Sequence, residues 1–364
     1  MNSSIYVTRS SMPLFDEYIE ELKPIWESRW LSNRGAAHKK LEDNLKRYLN
    51  VEHVQLFANG HLALEGIFES LELEGEVITT PFTHCSTLHS IVRTGLVPVF
   101  CDIKSDNLTI DPELIEAKIT DKTVAIFGVH VYGFLCDDEV INAIAKKHNL
   151  HIIYDAAHAF GVKQNGMSAA NMGDASMYST HATKVYQTVE GGIVTYNDDE
   201  LFASMRKRIN FGFTSPETVD YIGTNARMSE FHAAMGLCNL KHFDKHVENR
   251  KLAGDRYYER LGEVKGIRLL EIPENLHWNY AYMPIIVDGY KENRDELQAK
   301  LNKENIFPRK YFYPLVTNLG CYVDTYGGME YPVAESAAEG ILSLPIYSDL
   351  TVADVDRICD VILA

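Results

Sequence analysis

Lys184 lies in the run Tyr178-Ser179-Thr180-His181-Ala182-Thr183-Lys184, ahead of Glu190-Gly191-Gly192, and Tyr154-Asp155-Ala156-Ala157-His158 stands about one βαβ spacing upstream. A lysine amine condenses with an aldehyde to an imine, and a carboxylate can hold a pyridine nitrogen protonated so that the ring withdraws electrons. An acid followed by a lysine at this distance is what pyridoxal phosphate chemistry requires. A third group completes the set: Asn59-Gly60-His61 sits between a strand-like and a helix-like run. A glycine turn that opens a helix offers backbone amides and the helix dipole to a phosphate. Each piece has a plainer reading on its own, as an ordinary turn, a buried capping aspartate or a solvated loop lysine. Held in one chain, they favour the cofactor.

The elements that must position these groups alternate. Val54-Gln55-Leu56-Phe57 reads as a strand, His61 to Leu71 as a helix, Glu76-Val77-Ile78-Thr79 as a strand and Ser86 to Thr94 as a helix. The series continues through strands at 97–102, 123–129 and 151–154, with a helix at 138–148 before the last. Strands at 175–179 and 192–196 flank the lysine, which places it on a loop at a sheet edge. Helices follow at 201–209 and 229–244, the second running into a charged helix at 245–261. The pattern predicts an α/β fold with a mainly parallel central sheet and helices on both faces. After about residue 246 a strand at 281–287 and helices at 294–303 and 352–362 predict a smaller α+β domain. The expected division is therefore 1–245, with the N-terminal segment folded against it, and 246–364.

The chain has 364 residues, 46% hydrophobic and 24% charged, the composition of a globular protein with a large core. A formal net charge of -16 repels phosphate backbones and anionic headgroups, so neither nucleic acid nor membrane is an expected partner. Anionic substrates need a local basic pocket. Cys85, Cys101, Cys136, Cys238, Cys321 and Cys359 are scattered without ligand-like spacing, which predicts free thiols, a reducing compartment and no metal. The first residues lack the basic and apolar segments of a signal peptide, and no apolar run is long enough for a bilayer, so the expected location is cytoplasmic. No GxGxxG follows the first strand and no P-loop occurs, which disfavours a nicotinamide oxidoreductase.

Further runs join these: Trp30-Leu31-Ser32-Asn33, Gly173-Asp174, Gly223-Thr224-Asn225-Ala226-Arg227-Met228-Ser229-Glu230 and Arg309-Lys310-Tyr311-Phe312-Tyr313-Pro314-Leu315. With the segments around Asp155 and Lys184, they make the chain resemble, over nearly its whole length, the DegT/DnrJ/EryC1/StrS family of nucleotide-sugar aminotransferases. These are fold-type I enzymes dependent on pyridoxal 5'-phosphate. The resemblance implies that Lys184 is the Schiff-base lysine and proton shuttle, and Asp155 the partner of the pyridinium. Ser179 and the amides of Gly60 and His61 would hold the cofactor phosphate, and Asn225 would reach it from the other subunit of a homodimer with shared active sites. Three positions depart from the family's usual residues. His158 stands where glutamine usually bonds the phenolic oxygen, His61 where threonine is frequent, and His84 where a larger aromatic ring stacks on the pyridine.

His181-Ala182-Thr183-Lys184 followed by Glu-Gly-Gly resembles the branch that aminates C4 of a nucleotide-linked 4-keto sugar. The expected reaction takes the amino group of L-glutamate and delivers it to C4 of dTDP-4-keto-6-deoxyglucose, with ping-pong kinetics. Arg227 and Arg309 are candidate anion contacts, and Tyr311 and Tyr313 candidate neighbours of the sugar or nucleotide; interface packing is their plainer reading. The alternatives are amination at C3, a UDP-linked sugar, or a non-catalytic regulator on the same fold. A dehydratase of the same fold would carry histidine in place of Lys184.

Overall fold

The structure, a computed structural model, describes residues 4–364. Seven strands form the central sheet: β1 (His53–Phe57), β2 (Glu76–Thr79), β3 (Val97–Phe100), β4 (Thr123–Val129), β5 (His151–Asp155), β6 (Ala175–Ser179) and β7 (Gly192–Tyr196). Their spatial order is β1-β7-β6-β5-β4-β2-β3. Pairing is parallel from β6 to β3, and β7 lies antiparallel to both β6 and β1. A parallel pair needs a long crossover, whereas the segment joining β6 to β7 carries no helix and returns directly.

Side chains alternate between two cores, as a sheet covered on both faces requires. Ile153, Met177 and Val194 pack with α3 (Gly60–Ser70) and α6 (Asp199–Arg208). Ile152, Tyr154, Tyr178 and Ile193 face the opposite core, which includes α2 (Ala36–Leu49), α5 (Asp138–His148) and α7 (Glu230–Leu261). Two helices not anticipated from the sequence, α1 (Phe15–Ser28) and α2, pack on α7. The carboxylate of Glu230 accepts the amides of Gly35 and Ala37 at 2.8 Å and of His38 at 3.4 Å, so one buried side chain satisfies the start of α2.

The C-terminal region carries an antiparallel sheet of Ile267–Leu269, Met283–Val287 and Ile341–Leu344 with helices Arg294–Lys303, Pro332–Gly340 and Val352–Leu363. Helix α7 runs unbroken across position 245, and Ile5–Tyr6 pairs in parallel with Ile306–Phe307, so the N-terminal segment also touches the C-terminal sheet region. The loop bearing Lys184 joins two interior strands, not strands at a sheet edge, because β7 is inserted between β1 and β6.

Candidate active site

The lysine loop is held shut at its base. The amide of Thr180 donates to Gly191 O at 2.9 Å, that of Thr188 to Thr180 O at 2.8 Å, and the two threonine hydroxyls meet at 2.6 Å. A Cβ at Gly191 would lie 2.2 to 2.3 Å from those hydroxyl oxygens, which explains the first glycine of Glu-Gly-Gly. Within the loop, the Lys184 amide donates to His181 O at 2.9 Å and turns the side chain into a cavity lined by His158, Ser179, Asn279 and Tyr282. Among the described residues its amine forms no ion pair and sits 5.8 Å from the Tyr282 ring centroid. Desolvation pushes its pKa down to about 8, opposed by the charge of Asp155. The amine is thus partly neutral near physiological pH, as a nucleophile and proton carrier requires.

Asp155 ends β5, where open parallel sheets present ligand-binding groups. It is buried; its Oδ2 accepts from Thr87 Oγ1 at 2.8 Å and its Oδ1 from the Ala157 amide at 3.1 Å. His158 is buried three residues on, with Nδ1 accepting the Tyr132 amide at 3.0 Å. An imidazole whose Nδ1 accepts carries its proton on Nε2 when neutral. Burial, helped by the charges of Lys184 and His84, holds its pKa well below the usual range, so the neutral donor is the form present. Its ring is nearly parallel to those of Tyr132 and Phe312, with centroids 6.3 and 5.9 Å away.

At the other end, Asn59 caps α3 by accepting the Leu62 amide at 2.9 Å. Gly60 is the first residue of that helix, and a Cβ there would lie 3.1 Å from Met177 Sδ and 3.2 Å from Ser179 Cβ. A Cβ on Gly192 would meet Asn59 O at 2.5 Å. Both glycines therefore let the helix start press against the end of β6, which brings Gly60, His61 and Ser179 together. The His61 ring turns away from that turn: Nδ1 bonds Ser86 Oγ at 2.9 Å and Nε2 lies 3.2 Å from Glu65. Only its amide is left for an anion.

His84 caps the exposed start of α4 (Cys85–Arg93), with Nδ1 accepting the Ser86 amide at 3.1 Å and its ring edge-on to Phe312 at 6.3 Å. Beyond it opens a cleft of about 360 Å³ lined by His84, Gln298, Arg309, Tyr311, Phe312 and Tyr313. The Arg309 guanidinium has no side-chain partner among the described residues, while its backbone pairs with Ser343. Tyr313 lies beneath the Arg294 guanidinium at 4.4 Å and near Lys310 at 5.6 Å. His181 faces solvent, bonded to Thr183 Oγ1 at 2.9 Å and 3.6 Å from Glu190.

Asn225 and Arg227 stand apart from the lysine cavity. Asn225 Oδ1 accepts from Arg227 Nε at 3.2 Å and Nη2 at 2.8 Å, and the same guanidinium bonds Asn210 and Asn33 and covers Phe211. Asn225 is exposed. Sequence reasoning missed Thr87, Tyr132, Asn279, Tyr282 and Phe312. Asn279 joins the two halves, donating to His158 O at 2.8 Å and Phe160 O at 3.0 Å while accepting the Ala281 amide at 3.0 Å.

A partly neutral amine, a buried carboxylate, a fixed imidazole donor and a glycine-lined helix start with a hydroxyl beside it match the aldehyde, ring nitrogen, phenol and phosphate of pyridoxal phosphate. Fold and site define a pyridoxal-phosphate-dependent transferase. The model of the DegT/DnrJ/EryC1/StrS aminotransferase family matches residues 14–363, and the chain belongs to that family. Two relatives bear the name dTDP-4-amino-4,6-dideoxy-D-glucose transaminase. The one from Shigella dysenteriae is 39% identical with 96% of each chain covered, and the one from Escherichia coli 38% identical with 100% of this chain and 99% of the relative covered. The crystal structure of DesI with its TDP-sugar product superposes with a TM-score of 0.93 at 32% identity, covering 99% of this chain and 92% of that one.

Proposed function

We propose that the chain transfers the amino group of L-glutamate to C4 of dTDP-4-keto-6-deoxyglucose, giving dTDP-4-amino-4,6-dideoxyglucose for a surface polysaccharide or glycoside. The observation that carries this reading is the partly desolvated Lys184 amine in a cavity beside His158 and Tyr282, under the charge of buried Asp155, in a chain whose relatives are named for that product. Bound pyridoxal phosphate supplies the carbonyl that accepts the amine and the ring that takes up the electron pair of the deprotonated carbon.

The chain's residues do the rest. Lys184 Nζ would carry the proton taken from the amino donor's α-carbon, a task suited to a group with a pKa of about 8. Asp155 would hold the proton on the ring nitrogen. His158 Nε2 would donate to the phenolic oxygen, in the place glutamine usually takes. Ser179 Oγ and the amides of Gly60 and His61 would hold the phosphate at the start of α3. Arg309 offers an unpaired cation to a substrate anion in the cleft it shares with Tyr311.

Two copies would complete the site, with Asn225 reaching across. Exposed Leu14, Phe15, Trp26, Trp30 and Leu31 on the N-terminal segment support a surface covered by a second subunit. No helix among the described residues is long and apolar enough to cross a membrane. The test is incubation with glutamate and a panel of dTDP- and UDP-linked 4-keto-6-deoxyhexoses, with the product identified by mass and NMR. The reading expects the new amine at C4 of the dTDP sugar. Amination at C3, or no turnover with any of the panel, refutes it.

A further inference from the structure

Asp155 is served by a chain of hydroxyls that no sequence motif announces. Thr87 Oγ1 has a single proton, and it is 2.8 Å from Asp155 Oδ2. The carboxylate accepts, so Thr87 donates there, and its contact with Thr83 Oγ1 at 2.8 Å must then run the other way. The order is Thr83 O–H to Thr87 O–H to Asp155 Oδ2, and all three residues are buried. Bonds aligned head to tail polarise one another, so Thr83 strengthens the donor that Thr87 presents.

We propose that Thr87, backed by Thr83, is a positioning residue whose hydrogen bond to Asp155 Oδ2 leaves the shared proton on the cofactor's ring nitrogen. This rests on the aminotransferase reading. A hydrogen bond donated to an ionised carboxylate stabilises the charged form. Remove it, and the carboxylate competes harder for the proton it shares with the ring; the ring then loses positive charge and withdraws electrons less. The Ala157 amide on Oδ1 fixes the other oxygen but cannot replace the lost donor. The remaining charged or titratable neighbours in electrostatic reach, Lys184 and His84, act equally before and after the change.

The experiment uses holoenzyme loaded with pyridoxal phosphate carrying 15N in its ring, in wild type, Thr87→Val, Thr87→Ser and Thr83→Val. In Thr87→Val the ring nitrogen resonance moves toward the unprotonated position, and cofactor affinity falls about tenfold, the scale of one hydrogen bond to a charged group. Thr87→Ser restores the wild-type resonance, and Thr83→Val shifts it in the same direction by less. A Thr87→Val resonance identical to wild type overturns the inference, as does a Thr87→Ser variant as perturbed as Thr87→Val. Thermal melting of each variant separates loss of fold from loss of protonation. Wild-type protein that binds no cofactor at all would instead overturn the underlying aminotransferase reading.

Discussion

The Lys184 amine carries a quantitative prediction that needs no cofactor. In the apoprotein its pKa is pushed down to about 8 by desolvation, against an ordinary value near 10.5. At pH 7 about one amine in ten is then neutral, roughly 300 times the fraction for an unperturbed lysine. Trace labelling with formaldehyde and cyanoborohydride across pH 6 to 11, read by peptide mass spectrometry, follows the neutral amine residue by residue. The account expects a midpoint near 8 at Lys184. Asp155 raises the lysine's pKa, so Asp155→Asn must lower the midpoint further. The sign carries over to stability: between about pH 8 and 10.5 the unfolded chain holds the extra proton, so this group adds to stability as pH rises through that window. A Lys184 midpoint with the surface lysines, or an upward move in Asp155→Asn, would refute the reasoning.

Three further outcomes follow from geometry. Glu230→Ala strips three amides at the start of α2 of their acceptor and should cost about 3 kcal/mol in chemical denaturation, leaving the bound cofactor's spectrum unchanged. Gly192→Ala drives a Cβ to 2.5 Å from Asn59 O and must displace the turn at Gly60, so the cofactor dissociation constant, measured by equilibrium dialysis, should rise at least about tenfold. Since the His158 pKa lies well below that of a free imidazole, His158→Gln should leave the pH profile between 6 and 8 unchanged and should lose less stability than wild type as pH falls below about 6.5.

Much of the fold is legible because its strands are apolar and its helices periodic. The strands at Glu76–Thr79, Thr123–Val129 and Gly192–Tyr196 and the helices at Asp138–His148 and Arg294–Lys303 have the bounds expected from the sequence. The N-terminal helices escaped although α2 buries a single stripe of Ala37, Leu41, Leu45 and Leu49: α1 carries Pro24 and leaves Phe15 and Trp26 exposed, and α2 is rich in charge. The insertion of β7 depends on how strands far apart in sequence pair, which periodicity does not encode.

The site divides in the same way. Lys184, Asp155, Ser179 and Gly60 lie in local motifs, and the fold brings them to one end of the sheet. Tyr282 and Asn279 arrive from the C-terminal half, more than ninety residues beyond Lys184, with nothing near them in sequence to mark their role, whereas Phe312 lies inside the run 309–315 already singled out. Thr83 and Thr87 were open to notice, being four residues apart at the start of a helix. Their alignment with Asp155 emerges only in three dimensions.

The most direct measurement is borohydride reduction of freshly prepared holoprotein, followed by proteolysis and mass spectrometry of the peptide spanning residues 178–192. The account predicts a coloured protein that bleaches on reduction, with the reduced cofactor's mass fixed on Lys184 alone and lost in Lys184→Ala. A colourless protein, or the mass on any other lysine, would contradict it.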